Sequence, residues 1–266
     1  MSGVLGWWVA GVGLYSGLVL LVERQVLGYD FVMPTGVHTL LGLVLGMLLV
    51  WRTNTAYDRW WEGRRLWGQL VNDLRNLAVK VAALSAADPA DKECFGLRLI
   101  EFPCALRDHL RRREPGPHRP AEIARELYRH LKTWKSQGFV DGFEETLFDR
   151  QLSGLLDVCG ASERIRNTPV VRSLRNYVRQ CILLYLLVLP WTLDDRLFTV
   201  CLVMVVAYFM VGIELIAEAI EEPFGTEKDD LPLDDICRGI EVSLRQILTL
   251  PAEDGARAPG EAARDG

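Results

Sequence analysis

PTGVHTLLGLVLGMLLVWRTNTAYDRWWEGRRLW, residues 34–67, is the stretch on which the reading of the whole chain depends. Its first half is an apolar run able to cross most of a bilayer. It passes without a Gly or Pro break into Arg52, Thr53, Asn54, Thr55, Tyr57, Asp58 and Arg59, so one helix is predicted to leave the membrane and carry on. At helical spacing Gly42 and Gly46 form a small-xxx-small pair, a face on which neighbouring helices approach closely in lipid. One step on, Leu43, Met47 and Trp51 stack at i, i+4 and i+8 into an adjacent stripe. Several copies around an axis make that stripe the lining of a narrow apolar passage with polar residues at its inner end, the geometry of a channel. Spacing alone also fits a lipid-facing or core stripe beside an ordinary dimerisation motif.

Working outward, Val4–Val22, Phe31–Trp51 and Leu197–Ile213 carry no Asp, Glu, Lys or Arg, whereas the stretch from Arg52 to Arg179 is dense in charge. Apolar segments therefore bracket a polar middle, a pattern that a net charge of −5 and a half-apolar composition do not reveal by themselves. The first run lacks the basic start and small-residue exit of a signal peptide, and a second apolar run follows at once. Most of the Lys and Arg residues lie in the middle and crowd the membrane ends (Arg52, Arg59, Arg64 and Arg65 on one side, Arg164, Arg166, Arg172, Arg175 and Arg179 on the other). Positive residues stay inside, so the middle is expected in the cytoplasm, with both termini there if the crossings number four.

A third crossing is weak by hydropathy, since only Cys181–Trp191 is continuously apolar and VVRSLRNYVRQ before it is amphipathic. It reads as a crossing helix whose cytoplasmic half is sheltered by protein, or as a re-entrant or interfacial segment. In the fourth, Glu214 and Glu218 share one face near the inner end, where they either pair with arginines or take part in an ion path. Pro190, Asp194 and Asp195 turn the chain between these two.

The polar middle reads as helix throughout. Leu66, Leu70, Leu74, Leu77 and Val81 line one face of the continuing helix, SAADPAD (residues 85–91) ends it, and further helices reach about Arg113, run from Ala121 to Trp134, and from Gly142 to about Gly160. The expected class is an all-α membrane protein. Its expected parts are a transmembrane hairpin (1–60) with a pore-lining second helix, a helical cytosolic region (61–172), a second hairpin (173–220), an acidic loop and helix docking on the cytosolic region (221–250), and a disordered tail (251–266).

The six cysteines are scattered with no CxxC, and His38, His109, His118 and His130 are unclustered in sequence, so no zinc pattern is present. GxxxxGK[ST], HExxH and G-x-S-x-G are all missing, which leaves an enzyme without a nucleophile or cofactor motif.

RTNTAYDRWWEGRRLWGQL (52–70), ERIRNTP (163–169) and EEPFGTEKDDLPLDDICRGIE (221–241) lie far apart, yet in this order they resemble the bestrophin family, in particular its bacterial branch, over nearly the whole chain up to about Leu250. The positions that carry the likeness include Arg59, Trp60, Glu163, Arg164, Asn167, Pro169, Pro223, Phe224 and Gly225. The resemblance implies a homopentameric ion channel of the cell (inner) membrane, four transmembrane helices per subunit, a helical cytosolic vestibule and one pore on the five-fold axis. Its partners are then lipid, further copies of itself and monovalent ions, with no nucleic acid. It implies three apolar rings in the second helix, which fall on Leu43, Met47 and Trp51, and a second aperture near the cytosolic exit, assigned to Phe143. Leu41 and Leu45 fall on other faces and are expected to serve packing.

Animal relatives bind calcium through an acidic cluster after Pro-Phe-Gly. Here the Asn expected before the Pro is Glu222, Lys228 interrupts the acidic run, and the N-terminal arm is expected to be short or missing. Glu227, Asp229 and Asp230 are thus the candidate metal ligands, read instead as a solvated acidic loop docking between subunits, and no cofactor is expected. An apolar neck carries no charge to set selectivity. Glu214, Glu218 and the net charge lean toward cations and the basic middle toward anions. Cation selectivity is the expectation for a bacterial member, with an anion channel as the alternative and a non-conducting scaffold as the third reading.

Overall fold

The computed structural model describes residues 2–22, 25, 35–112, 116–193 and 197–251; the Asp194/Asp195 turn and the tail from 252 lie outside them. The described elements are the helices α1 (Ser2–Val22), α2 (Thr35–Ala83), α3 (Pro89–Arg111), α4 (Arg119–Gln137), α5 (Gly142–Asn167), α6 (Arg172–Val188), α7 (Leu197–Ile220) and α8 (Leu233–Leu248), with a 3₁₀ turn at Leu189–Thr192. No strand occurs among the described residues.

α2 is the continuous helix that residues 34–67 predict, 49 residues long. At a rise of ~1.5 Å per residue it extends about 70 Å, more than twice the hydrocarbon thickness of a bilayer, so much of it must lie outside. Its polar residues at the transition are accommodated locally: the hydroxyls of Thr53 and Thr55 donate to the carbonyls of Leu49 and Trp51, both at 2.9 Å. It ends where expected. Ser85 Oγ accepts from Ala87 N–H at 3.1 Å, and Pro89 opens α3 in the first helical turn, where its missing N–H costs nothing.

The chain divides into two compact units, and each forms its own core. The first comprises Met1–Glu62 and Asn167–Leu231, the second Gly63–Arg166 and Pro232–Gly266.

In the first unit, Leu45 and Leu49 of α2 pack with Val178, Ile182 and Leu186 of α6 and with Val203, Ala207 and Val211 of α7. α1 lies against α7, closely enough that a Cβ on Gly13 would stand 2.8 Å from the Met204 sulfur. Tyr15 Oη donates to the Leu187 carbonyl and accepts from Trp191 Nε1, both at 2.9 Å, fixing α1 to the end of α6. Three described helices are long and apolar enough to cross a membrane: α1, α2 and α7. α6 is 17 residues, ~26 Å at helical rise, and carries Arg172, Arg175 and Arg179.

In the second unit, Trp67, Leu70, Leu74, Leu77 and Val81 of α2 are fully buried with Phe95, Leu99, Phe102 and Leu106 of α3, Ile123, Leu127 and Trp134 of α4, and Phe148, Leu152 and Leu155 of α5. α8 closes over α3, so tightly that a Cβ on Gly96 would stand 2.6 Å from Leu248 Cδ1 and push that side chain aside. Leu66, on the same stripe, is only half-buried, because the core begins at Trp67. Leu74→Ala should therefore lower stability by about 2–5 kcal/mol. Leu66→Ala should cost about 1 kcal/mol or less, and thermal denaturation of the detergent-solubilised chain compares the two.

Candidate functional site

α2 has two faces in its apolar half. Leu45 and Leu49 are 3% and 4% exposed, whereas Leu43, Met47 and Trp51 are 61%, 67% and 48% exposed. The uncovered face is broad, since Leu40, Val44 and Val50 belong to it too. At ~100° per residue it covers about half the circumference, with Leu43, Met47 and Trp51 inside the arc. Leu41, expected to serve packing, is 49% exposed and sits at the arc's edge, so of the two comparison leucines only Leu45 is a core residue. The glycines differ as well. A Cβ on Gly42 would stand 3.1 Å from Tyr185 Oη of α6, while a Cβ on Gly46 would meet no atom within 4 Å.

The stripe ends one residue before a buried cluster of charge. Arg52 is fully buried, and its Nη2 donates to Glu221 Oε2 at 2.5 Å; its Nε lies 3.7 Å from Glu214 Oε2. Glu214 and Glu221 are themselves 4% and 3% exposed. α6 adds two arginines: Arg179 reaches Glu214 at 3.3 Å and Glu218 at 2.6 Å, and Arg175 stands 4.0 Å from Glu221. Three carboxylates thus face three guanidiniums where the apolar half of α2 stops, beside the first half of α6 and the last turns of α7, which offsets the desolvation of each.

Two turns further along α2, Arg59 Nε donates to the Glu221 carbonyl at 3.1 Å and its Nη1 to the Thr168 carbonyl at 2.5 Å, between Asn167 and Pro169. Trp60 Nε1 donates to the Asp229 carbonyl at 3.1 Å. Three distant motifs thereby meet through main-chain acceptors. The acidic loop closes on itself: Glu227 N–H donates to Asp230 Oδ2 at 2.7 Å, and Leu231 N–H to the Pro223 carbonyl at 3.0 Å. Phe224 is buried beneath it, and a Cβ on Gly225 would force the Asp230 carboxylate to move. Burial pushes the Asp230 carboxyl above its ordinary range, against the pull of the Glu227 N–H. Glu227 and Asp229 are exposed.

Of the remaining assignments, Phe143 is 86% exposed at the second residue of α5, behind a reciprocal cap in which Glu144 N–H donates to Asp141 Oδ1 and Asp141 N–H to Glu144 Oε2. Arg164 is exposed on the last turns of α5. Glu163 is held by two histidines that sequence spacing leaves apart: His109 Nε2 and His118 Nε2 lie 2.6 and 2.8 Å from its Oε1.

A family model described as bacterial/fungal bestrophin protein matches residues 5–246. The chain belongs to that family. It is 34% identical over 249 residues to a voltage-dependent anion channel-forming protein of Synechocystis sp., covering 84% of this chain and 81% of that one. It is 32% identical over 277 residues to a protein of the same description from Mesorhizobium japonicum, covering 92% and 87%. Among solved structures, a point variant of a bacterial bestrophin homologue from Klebsiella pneumoniae superimposes with a TM-score of 0.84 at 23% identity, covering 91% of this chain and 98% of that one, which establishes the shared fold.

Removing either partner of the Arg52–Glu221 pair leaves a buried charge short of its counterion. Arg52→Met and Glu221→Met should each lower stability by about 3–5 kcal/mol. The double substitution should cost clearly less than their sum, and a double-mutant cycle on detergent-solubilised protein measures the difference.

Proposed function

We propose that the chain is the subunit of an anion-conducting membrane channel, with the Leu43, Met47 and Trp51 stripe of α2 forming its neck. The observation that carries this reading is the uncovered apolar stripe that ends directly on an internally neutralised charge cluster. Five copies around one axis, the assembly that the family resemblance implies, bring the stripes together as three apolar rings. α6 then makes the fourth crossing, both termini lie in the cytoplasm, the membrane is the cell's inner one, and Phe143 stands at the cytosolic exit as a second aperture.

The anion reading replaces the expectation of cation selectivity. That expectation leaned on the acids of α7, but Glu214 and Glu218 each face an arginine, as does Glu221 beyond them, and so offer little net attraction to a permeant cation. The relatives named above are described as forming anion channels. In an apolar ring the barrier is loss of hydration without polar replacement, and large monovalent anions hold their water less tightly than small cations do. Calcium has no part in this reading, because the inward carboxylate of the acidic loop, Asp230, already accepts from the loop's own backbone.

Two measurements on purified protein in planar bilayers test it. Under a tenfold KCl gradient with calcium chelated, the reversal potential should lie near the chloride limit of about 59 mV rather than the potassium limit of opposite sign; a shift toward potassium, or currents that need calcium, would overturn the assignment. Leu43→Ala and Met47→Ala should each raise unitary conductance, whereas Leu45→Ala, on the covered face, should lower thermal stability and leave conductance near the parent value. The reverse pattern would place a different face of α2 on the axis. Native mass spectrometry of the same preparation counts the chains, and a species no larger than a dimer would exclude the five-fold neck.

A further inference from the structure

We propose that His109, His118 and Glu163 form a binding site for a divalent first-row transition metal ion. One donor atom from each lies within 4.8 Å of the other two. His109 Nε2 and His118 Nε2 converge on Glu163 Oε1 at 2.6 and 2.8 Å, with the two rings 4.6 Å apart and tilted by 38°. The donors come from three elements, each fixed independently. His109 is in the last turn of α3, where its carbonyl accepts from Arg166 Nη1 at 2.9 Å. His118 is the N-cap of α4, its Nδ1 accepting from Ala121 N–H at 3.1 Å. Glu163 stands on α5, one turn before the helix ends.

Two imidazoles and a carboxylate make a donor set suited to zinc and its first-row neighbours, harder than a thiolate cage and softer than an all-oxygen calcium site. Metal–donor distances of ~2.0–2.2 Å in a tetrahedron place donors roughly 3.3 Å apart, so each histidine nitrogen needs to draw back from Glu163 Oε1 by only about 0.5–0.7 Å. His118 is partly exposed, which leaves the fourth position to water. Coordination has a competitor within the fold. With Nδ1 accepting from Ala121, the ring proton of neutral His118 sits on Nε2; binding a metal there moves that proton to Nδ1 and releases the α4 cap. Affinity should accordingly be micromolar, weaker than that of a closed structural zinc site.

The test is calorimetric titration of chelator-stripped, full-length protein in detergent with Zn²⁺. The expected result is one ion per chain, with affinity reduced about tenfold or more in His109→Gln and in Glu163→Gln. His130→Gln is the control, because its Nε2 has Cys94 Sγ at 3.9 Å in a separate pair and should bind as the parent does. Absence of binding to the unsubstituted chain at submillimolar Zn²⁺, or equal affinity in the parent and both site variants, would overturn the proposal. Because the unsubstituted chain is itself titrated, the outcome does not depend on every variant folding, and because no ion flux is read it is separate from the channel reading.

Discussion

A fully buried guanidinium is the constraint around which the membrane unit is arranged. α2 carries Arg52 on its covered face, one residue beyond the apolar stripe, where the side chain has no access to water. Such a charge persists only with carboxylates in reach, and those available are Glu214 at the inner end of α7 and Glu221 just past it. Placing them fixes the inner half of α7 beside α2. It also fixes the start of the following segment, since the Glu221 carbonyl is taken by Arg59 and the Asp229 carbonyl by Trp60. The loop then closes inward, with Asp230 against Gly225.

The same pairing shapes what the uncovered face of α2 can do. Once Arg52 is neutralised from within the subunit, the stripe above it presents Leu, Met and Trp with no nearby unbalanced charge of fixed sign. On the proposed neck, discrimination among ions would rest on the cost of dehydration more than on attraction to a charged ring. This is why paired acids in α7 argue against reading selectivity from the composition of that helix.

Much of this was legible in the residues. The unbroken run from the apolar half of α2 into Arg52–Arg59 announced one long helix, and the Asp-Pro after Ala87 announced its end, because both are local signals. The stripe Leu43, Met47, Trp51 was legible as a face but not as a lining: the exposed arc covers about half of α2, and lipid, a second copy and a pore are equally compatible with apolar side chains at that spacing. Leu41 and Leu45 both fall on other faces of the helix by spacing, yet of the two only Leu45 joins the core with α6 and α7. The His109–Glu163 contact joins residues 54 apart in sequence, and no local periodicity encodes a meeting of three helix ends. Glu163 was visible only as part of a motif, without a partner.

α6 shows why a scan of single helices understates this fold. Taken alone it is too short and too basic to cross, and α7 taken alone carries acids too deep for comfort. Arg175 and Arg179 answer Glu221, Glu214 and Glu218, so the charges that count against each helix separately are largely offset where the two pack side by side. Their apolar faces are matched as well, through Val178, Ile182 and Leu186 against Val203, Ala207 and Val211. The charges are thus balanced by the α6–α7 pair closed by Arg52 of α2, not helix by helix. A substitution at any of these six charges acts on the packing of all three helices, whichever helix carries it.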